Sequence, residues 1–368
     1  MNTRTDNWDE TVDMVVVGYG FAGAAASIEA NDLGANILLV EKNVTPGGIS
    51  ICSAGGIRIA RDRDAALAYL KETNAGTTPE APLAALAEGM TTIARFIEDI
   101  AEAAGATPVT NWMGGTYAFE GYETFGFISI AEYPGVDIYE KYPHVRSLRG
   151  GTRLFAALEH NVEARGIPVR LSTSAERLIT SPDGAVTGVV LRDSSGTKRV
   201  RTRGGVVLAC GGFEADASMQ AQYWQGKPVL PHAYRGNTGD GIRMAQAVGA
   251  DLWHMWHYHG TYGMSHTDPA YPYGIRLTKF PDWIPGHDDP DDVPAFFAAS
   301  QSKRMPWIVV DARGKRFMNE YPPYLQDTGH RDMEVMDPVT QTHLRIPSWL
   351  VLDADGLAAG QLGLQTYH

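Results

Sequence analysis

The chain has 368 residues, of which 44% are hydrophobic, and carries a formal net charge of −12. That length and apolar content support a large core and more than one domain. The acidic balance argues against a nucleic-acid partner, because phosphate backbones are met by clustered Lys and Arg, and it gives no handle for anionic lipid.

Two cysteines, Cys52 and Cys210, are too few for a disulfide framework. A reducing compartment, hence a cytoplasmic location, is therefore the expectation. The N-terminus MNTRTDNWDE has no apolar h-region and reads as a loose tail over residues 1–10. No run of about 18 uncharged apolar residues marks a membrane span.

Val12–Val17 is a nearly continuous apolar run and predicts a strand buried on both faces. A helix is expected from about Phe21 to Leu33, stopped by Gly34, followed by a second buried strand at Ile37–Val40. Together these form a βαβ unit. Its first turn holds Gly18, Gly20 and Gly23, and Glu41 ends its second strand. In a dinucleotide site the first glycine permits the tight turn, the second lets the backbone approach a pyrophosphate, and the third lets the helix pack on the strand. The helix N-terminus, opening at Phe21 and Ala22, offers N–H groups to the phosphates. Glu41, followed by Lys42, can accept both ribose hydroxyls.

Residues 46–56, PGGISICSAGG, form a second glycine loop with Gly47, Gly48, Ser50, Ser53, Gly55 and Gly56. Such a loop can lie against a flavin and its diphosphate without steric cost, and a nicotinamide enzyme has no need of it. Helices are expected over 61–75 and 82–104, the second with Leu83, Leu86, Met90, Ile93, Ile97 and Ile100 on one face. Residues 106–147 show no clear period and read as irregular structure.

Thr152–Arg165 reads as a helix stopped by Gly166, and Val169–Thr173 as a strand. Three antiparallel strands follow, joined by SPDG and SSGT, with Ala175 at their start. GGVVLACGGF reads as a further buried strand, bringing Ala209, Gly211 and Gly212 to its end. GNTGDG opens another helix, where Thr238, Gly239 and Asp240 would face a polar edge of a cofactor. From about residue 250 the character changes, with five of the eight tryptophans (Trp253, Trp256, Trp283, Trp307 and Trp349) beyond that point. HDDPDD, residues 287–292, reads as a solvated loop.

The glycine turn, Glu41, GGISICSAGG, LACGGF, NTGDGIRMAQAVGA and VVDARGKRFMNE together resemble the flavoprotein family of fumarate reductases, succinate dehydrogenase flavoprotein subunits and 3-ketosteroid dehydrogenases. The resemblance runs from about residue 11 to 353. It implies FAD, bound by a Rossmann-like α/β domain of glutathione-reductase type over 11–249, and an inserted α+β cap over 250–368. The family's closing segment, which returns to the FAD domain, has no counterpart after Gln361. The chain alone is therefore expected to leave the flavin one wall short.

The resemblance also implies hydride transfer between flavin N5 and a carbon of an activated C–C bond, paired with proton transfer at the neighbouring carbon. Lys303, with Arg304 one residue off, falls where fumarate reductases carry the proton-delivering arginine, but the usual glycines are absent. Tyr324 of NEYPPY, with Tyr321 nearby, matches the tyrosine of ketosteroid dehydrogenases. His259 of HGT is a candidate to hold a substrate oxygen, while His330 and Arg331 are cap-loop residues with a possible carboxylate role. Each of these stands beside a bland alternative: a surface charge, a packed tyrosine or an interior histidine. His254, His257 and His259 have no acid or thiol beside them, so no metal is assigned.

The reading is a FAD-dependent dehydrogenase or reductase, ketosteroid-like, taking a small-molecule apolar ketone or steroid. An enoate reductase of fumarate or urocanate type is the first alternative. A non-catalytic flavin-binding fragment that needs a partner segment is the second.

Overall fold

The structure is a computed structural model that describes residues 7–145, 150–226, 228–258, 260, 262–277, 307–320, 331–358 and 363–364. Strand β1 (Glu10–Val17) lies inside a six-stranded sheet. Val16 packs with Ala24, Ile28 and Leu39 on one face, whereas Val15 and Val17 pack with Leu38 and Val40 on the other. Burial on both faces is why the strand reads as a nearly continuous apolar run, broken only at Asp13. Helix α1 (Phe21–Asp32) follows, and the turn after it closes at Gly34, whose φ is +86°. Strand β2 (Ile37–Val40), buried at every position, then pairs parallel with β1 from Met14↔Ile37 to Val17↔Val40.

The chain next builds a satellite layer. Strand β3 (Ile57–Ala60) leads to α2 (Arg63–Asn74), capped by the Asp62 carboxylate accepting from Ala65 N–H at 2.7 Å. Helix α3 (Glu80–Ala104) buries Leu83, Ala87, Ile97, Ile100 and Ala101. Leu86, expected on that face, is 49% exposed, and its neighbour Ala87 is buried in its stead.

The stretch read as irregular contains two strands, β4 (Thr107–Asn111) and β5 (Phe125–Glu132), which with β3 make an antiparallel sheet in the order β3-β5-β4. Alternate residues Ile128 and Ile130 of β5 are buried, so the two-residue period was present, interrupted by Gly126 and by Pro108 across the sheet. After α4 (Ile138–Lys141), helix α5 (Gly150–Ala164) packs on α1 and α3.

Strand β6 (Val169–Arg170) extends the main sheet parallel to β2. The meander follows as β7 (Ser174–Thr180), β8 (Val186–Asp193) and β9 (Gly196–Leu208), turning at Gly184 and Gly196 as expected. The third meander strand and the buried strand after it are one continuous element, not two. Gly205, at φ +135°, lets β9 pass through a register shift opposite Val12 and Met14 and run on beside β1. The sheet order is β6-β2-β1-β9-β8-β7. Helices α6 (Ala217–Tyr223) and α7 (Asp240–Gln246) follow.

Beyond residue 250 the strands are short. β10 (Arg276–Leu277) pairs with β15 (Gly363–Leu364), β11 (Trp307–Val310) with β14 (Trp349–Leu352), and β12 (Met336–Asp337) with β13 (Thr342–His343); α8 (Ala354–Ala358) follows β14. Tyr262, Trp307, Val309 and Met318 form a separate small core. Trp253, Trp256 and Trp349 are at least half exposed, and Trp283 lies outside the described residues. Among the described residues, no helix is long and apolar enough to cross a membrane.

Candidate cofactor site

The carboxyl ends of the parallel strands β1, β2 and β9 open into a cavity of about 350 Å³. Ligands of open α/β sheets bind at this end of the strands. The glycine turn forms its floor. Gly18 has a φ of +104°, and a Cβ on it would stand 2.4 Å from the Ala209 carbonyl oxygen. A Cβ on Gly23 would stand 1.8 Å from the Gly18 carbonyl oxygen, so the first turn of α1 is seated directly on the strand end. Gly20 faces Ser50, whose Oγ accepts the Phe21 N–H at 3.1 Å. The N-terminus of α1 is thus presented to the cavity through Gly20, Phe21 and Ala22.

Glu41 is 6% exposed and both of its carboxylate oxygens are engaged. Oε2 accepts from Tyr19 N–H at 3.0 Å and Oε1 from Asn43 N–H at 2.9 Å. Each oxygen keeps a further lone pair, so the carboxylate is fixed in place and can still accept hydroxyls. Lys42 crosses to the other wall, where its Nζ donates to Thr238 Oγ1 at 2.8 Å and to Asp240 Oδ2 at 2.7 Å.

Of the residues singled out from sequence, Gly18, Gly20, Phe21, Ala22, Glu41, Lys42, Gly47, Gly48, Ser50, Ala175, Ala209, Gly211 and Asp240 line one cavity. Gly23, Gly212, Thr238 and Gly239 stand behind it. Gly239 N–H donates to the Gly212 carbonyl at 3.0 Å, and Gly239, at φ +75°, starts α7.

Ser53, Gly55 and Gly56 occupy a different place. Ser53 Oγ donates to the Ser50 carbonyl at 2.8 Å and accepts from Gly55 N–H at 3.1 Å. A Cβ on Gly55 would stand 2.1 Å from the Gly150 carbonyl carbon, and Gly151 N–H donates to the Ser53 carbonyl, so Ser53 and Gly55 pack the loop onto the start of α5, while Gly56 faces Phe127 of β5.

Several cavity residues were not singled out from sequence: Tyr19, Thr173, Ser174, Cys210, Tyr234, Asn237 and Met244. Tyr19, Cys210 and Asn237 adjoin predicted site residues in the sequence, and that adjacency is their signal. Tyr234 left no local signal, because only the tertiary fold brings it beside Gly48. Burial, then the Asp240 carboxylate, pushes the Cys210 thiol up to about 11, so it lines the wall as a neutral group. Burial likewise pushes the Tyr19 phenol far above its ordinary range, with the Glu159 and Glu163 charges adding to it.

The cradle fits a dinucleotide cofactor: a glycine floor that side chains would fill, helix N–H groups beside it, and a buried carboxylate held by two backbone donors. Tyr324, Tyr321, Lys303, Arg304, His259 and His330 lie outside the described residues. Arg331 opens a 3-10 turn ending at Met333. His254 is placed by stacking on Trp253, with ring centroids 4.9 Å apart, and no metal-binding cluster occurs among the described residues.

Residues 13–362 match the family model described as FAD binding domain. The NADH:fumarate oxidoreductase of Klebsiella pneumoniae (strain 342) is 27% identical over 361 residues, covering 94% of this chain and 32% of that protein. The 3-oxosteroid 1-dehydrogenase of Mycobacterium tuberculosis (strain ATCC 25618 / H37Rv) is 27% identical over 414 residues, covering 93% of this chain and 68% of that one. The chain thus spans about a third of the first relative's length and about two thirds of the second's. Among solved structures, the 3-ketosteroid Δ1-dehydrogenase of Sterolibacterium denitrificans superposes with a TM-score of 0.74 at 24% identity, covering 97% of this chain and 71% of that one, and so shares its fold. With a glycine-floored cleft, a buried and fixed carboxylate in its wall and a family match over nearly its whole length, the chain belongs to the FAD binding domain family, and FAD is its cofactor.

Proposed function

We propose that the chain is the FAD-binding part and the substrate-facing cap of an oxidoreductase acting on a C–C bond next to a carbonyl, with a bulky apolar ketone of 3-ketosteroid type as substrate. The observation that carries the reading is the cleft built on Gly18, Gly20 and the doubly anchored Glu41. Its likeness to a 3-oxosteroid dehydrogenase supports the substrate class. When bound, FAD supplies a two-electron acceptor for the hydride leaving one carbon of the substrate. The protein's task is to take the proton from the neighbouring carbon, to polarise the carbonyl and to exclude water. Tyr324 is the residue proposed for the proton, and His259 for the carbonyl oxygen.

A second reading, reduction of an enoate, draws on the fumarate-reducing relative. It assigns Lys303 or Arg304 to proton delivery and needs at least two arginines facing a carboxylate.

The two readings are separated by turnover of a 3-ketosteroid with an artificial acceptor and of fumarate with a reduced dye. Tyr324→Phe should cut steroid turnover by about 10²–10⁴-fold while leaving binding in place. Arg304→Ala and Lys303→Ala should be mild. Near-parental steroid turnover in Tyr324→Phe removes Tyr324 from the mechanism. Enoate reduction without steroid turnover overturns the substrate class.

A further inference from the structure

The walls of the FAD cleft come from segments far apart in sequence. One is the stretch after β2, with Glu41, Lys42 and Gly48; the other runs from Tyr234 to α7, with Gly236 and Asp240. Two side-chain links join them. Asn43 Nδ2 donates to the Tyr234 hydroxyl, across 191 residues of sequence. Lys42 Nζ donates to Thr238 Oγ1 and Asp240 Oδ2, and Thr238 Oγ1 donates to Asp240 Oδ1 at 3.0 Å. The tyrosine reaches across because two glycines make room. Its ring lies in ordinary contact range over Gly48, 3.7 Å from where a Cβ would be, and its hydroxyl passes within 2.0 Å of the Cβ position of Gly236. Any side chain at Gly236 would displace it.

The strands beneath the floor are held by backbone ladders that cannot open without disrupting the sheet. These links, by contrast, can break by side-chain rotation alone. Lys42, Tyr234 and Asp240 line the cavity, so the links stand at its wall, with Asn43 and Thr238 behind the lining.

We propose that Tyr234 is a cofactor-retaining residue: its link to Asn43, beside the Lys42–Thr238–Asp240 link, clasps the two walls of the cleft and sets how fast FAD leaves. The inference rests on the assignment of FAD to this cleft.

The test is the exchange of bound FAD against an excess of radiolabelled FAD, followed by gel filtration, in the parent, Tyr234→Phe, Asn43→Ala and the double variant. Loss of one such hydrogen bond should speed release about 3–10-fold in each single variant. The double variant should be no faster than the quicker single, since both remove the same link. Unfolding of the FAD-free proteins is measured in parallel, and their stability should fall by no more than the loss of one hydrogen bond explains. Parental release from Tyr234→Phe, or effects of the two substitutions that simply multiply, overturns the clasp alone. Faster release with a loss of FAD-free stability larger than one hydrogen bond explains reduces the residue to a packing role and also overturns it. A parent that takes up no FAD overturns the cofactor assignment and the clasp with it.

Discussion

At the scale of single residues, the glycine turn separates packing from binding. Gly23 has a carbonyl oxygen where its Cβ would be, at 1.8 Å, and that oxygen belongs to backbone that cannot turn away. Gly20 faces a serine hydroxyl at 2.8 Å, and a serine can rotate. Gly23→Ala should therefore cost at least about 1–3 kcal/mol of stability by overpacking. Gly20→Ala should cost about 1 kcal/mol, the hydrogen bond between Ser50 and Phe21 N–H, and act mainly on the cofactor. Urea unfolding of the two FAD-free variants checks the order, and equal losses would mean that the strand–helix seat is misread. The sequence spacing alone assigned these same roles to Gly18 and Gly23, because the motif is a local device whose context lies within thirty residues. Tyr234 was invisible at this scale, since its partners Asn43 and Gly48 lie almost two hundred residues away.

At the scale of elements, Glu320 holds the small core after residue 250. Its side chain is 1% exposed, and it accepts from Val309 N–H of β11 at 2.9 Å and from Arg316 Nε at 3.1 Å. Burial alone would raise its carboxyl, but the Arg316 guanidinium and the backbone donor reverse that and hold it below the ordinary 4.5. A carboxyl lowered in the folded state stabilises above its unfolded pKa, and that contribution is lost as pH falls through the folded value. Glu320→Gln should thus destabilise at neutral pH by about 1–3 kcal/mol and flatten the acid limb of the stability curve below pH 4.5. Denaturant unfolding between neutral and acid pH checks this, and an unchanged acid limb would remove Glu320 from it. The elements of the main sheet were legible because doubly buried strands are continuous apolar runs. β4 and β5 were not, because their pattern is broken by Pro108 and Gly126 and the pairing that defines them with β3 is nonlocal. The unity of β9 was hidden for a related reason: Gly204 and Gly205 look like a stop in sequence but form a bulge in the sheet.

At the scale of the whole molecule, one cleft at the carboxyl ends of three parallel strands gathers residues from position 17 to position 244. The sheet brings the glycine turn, the acid and the α7 start to one place, and the clasp ties the α7 side to the residues that follow the acid. The central claim is that this cleft takes FAD through the glycine turn and Glu41. Its most direct test is fluorescence titration of the purified, cofactor-stripped protein with FAD and with NAD, on the parent and on Glu41→Ala. Two charge-assisted acceptor bonds to the ribose, each net of competition with water, should make the loss in Glu41→Ala about tenfold or more in FAD affinity. The account predicts saturable FAD binding at one site, much weaker NAD binding, and that loss in the variant; absence of FAD binding by the parent, NAD binding of equal strength, or a Glu41→Ala variant with parental FAD affinity would contradict it.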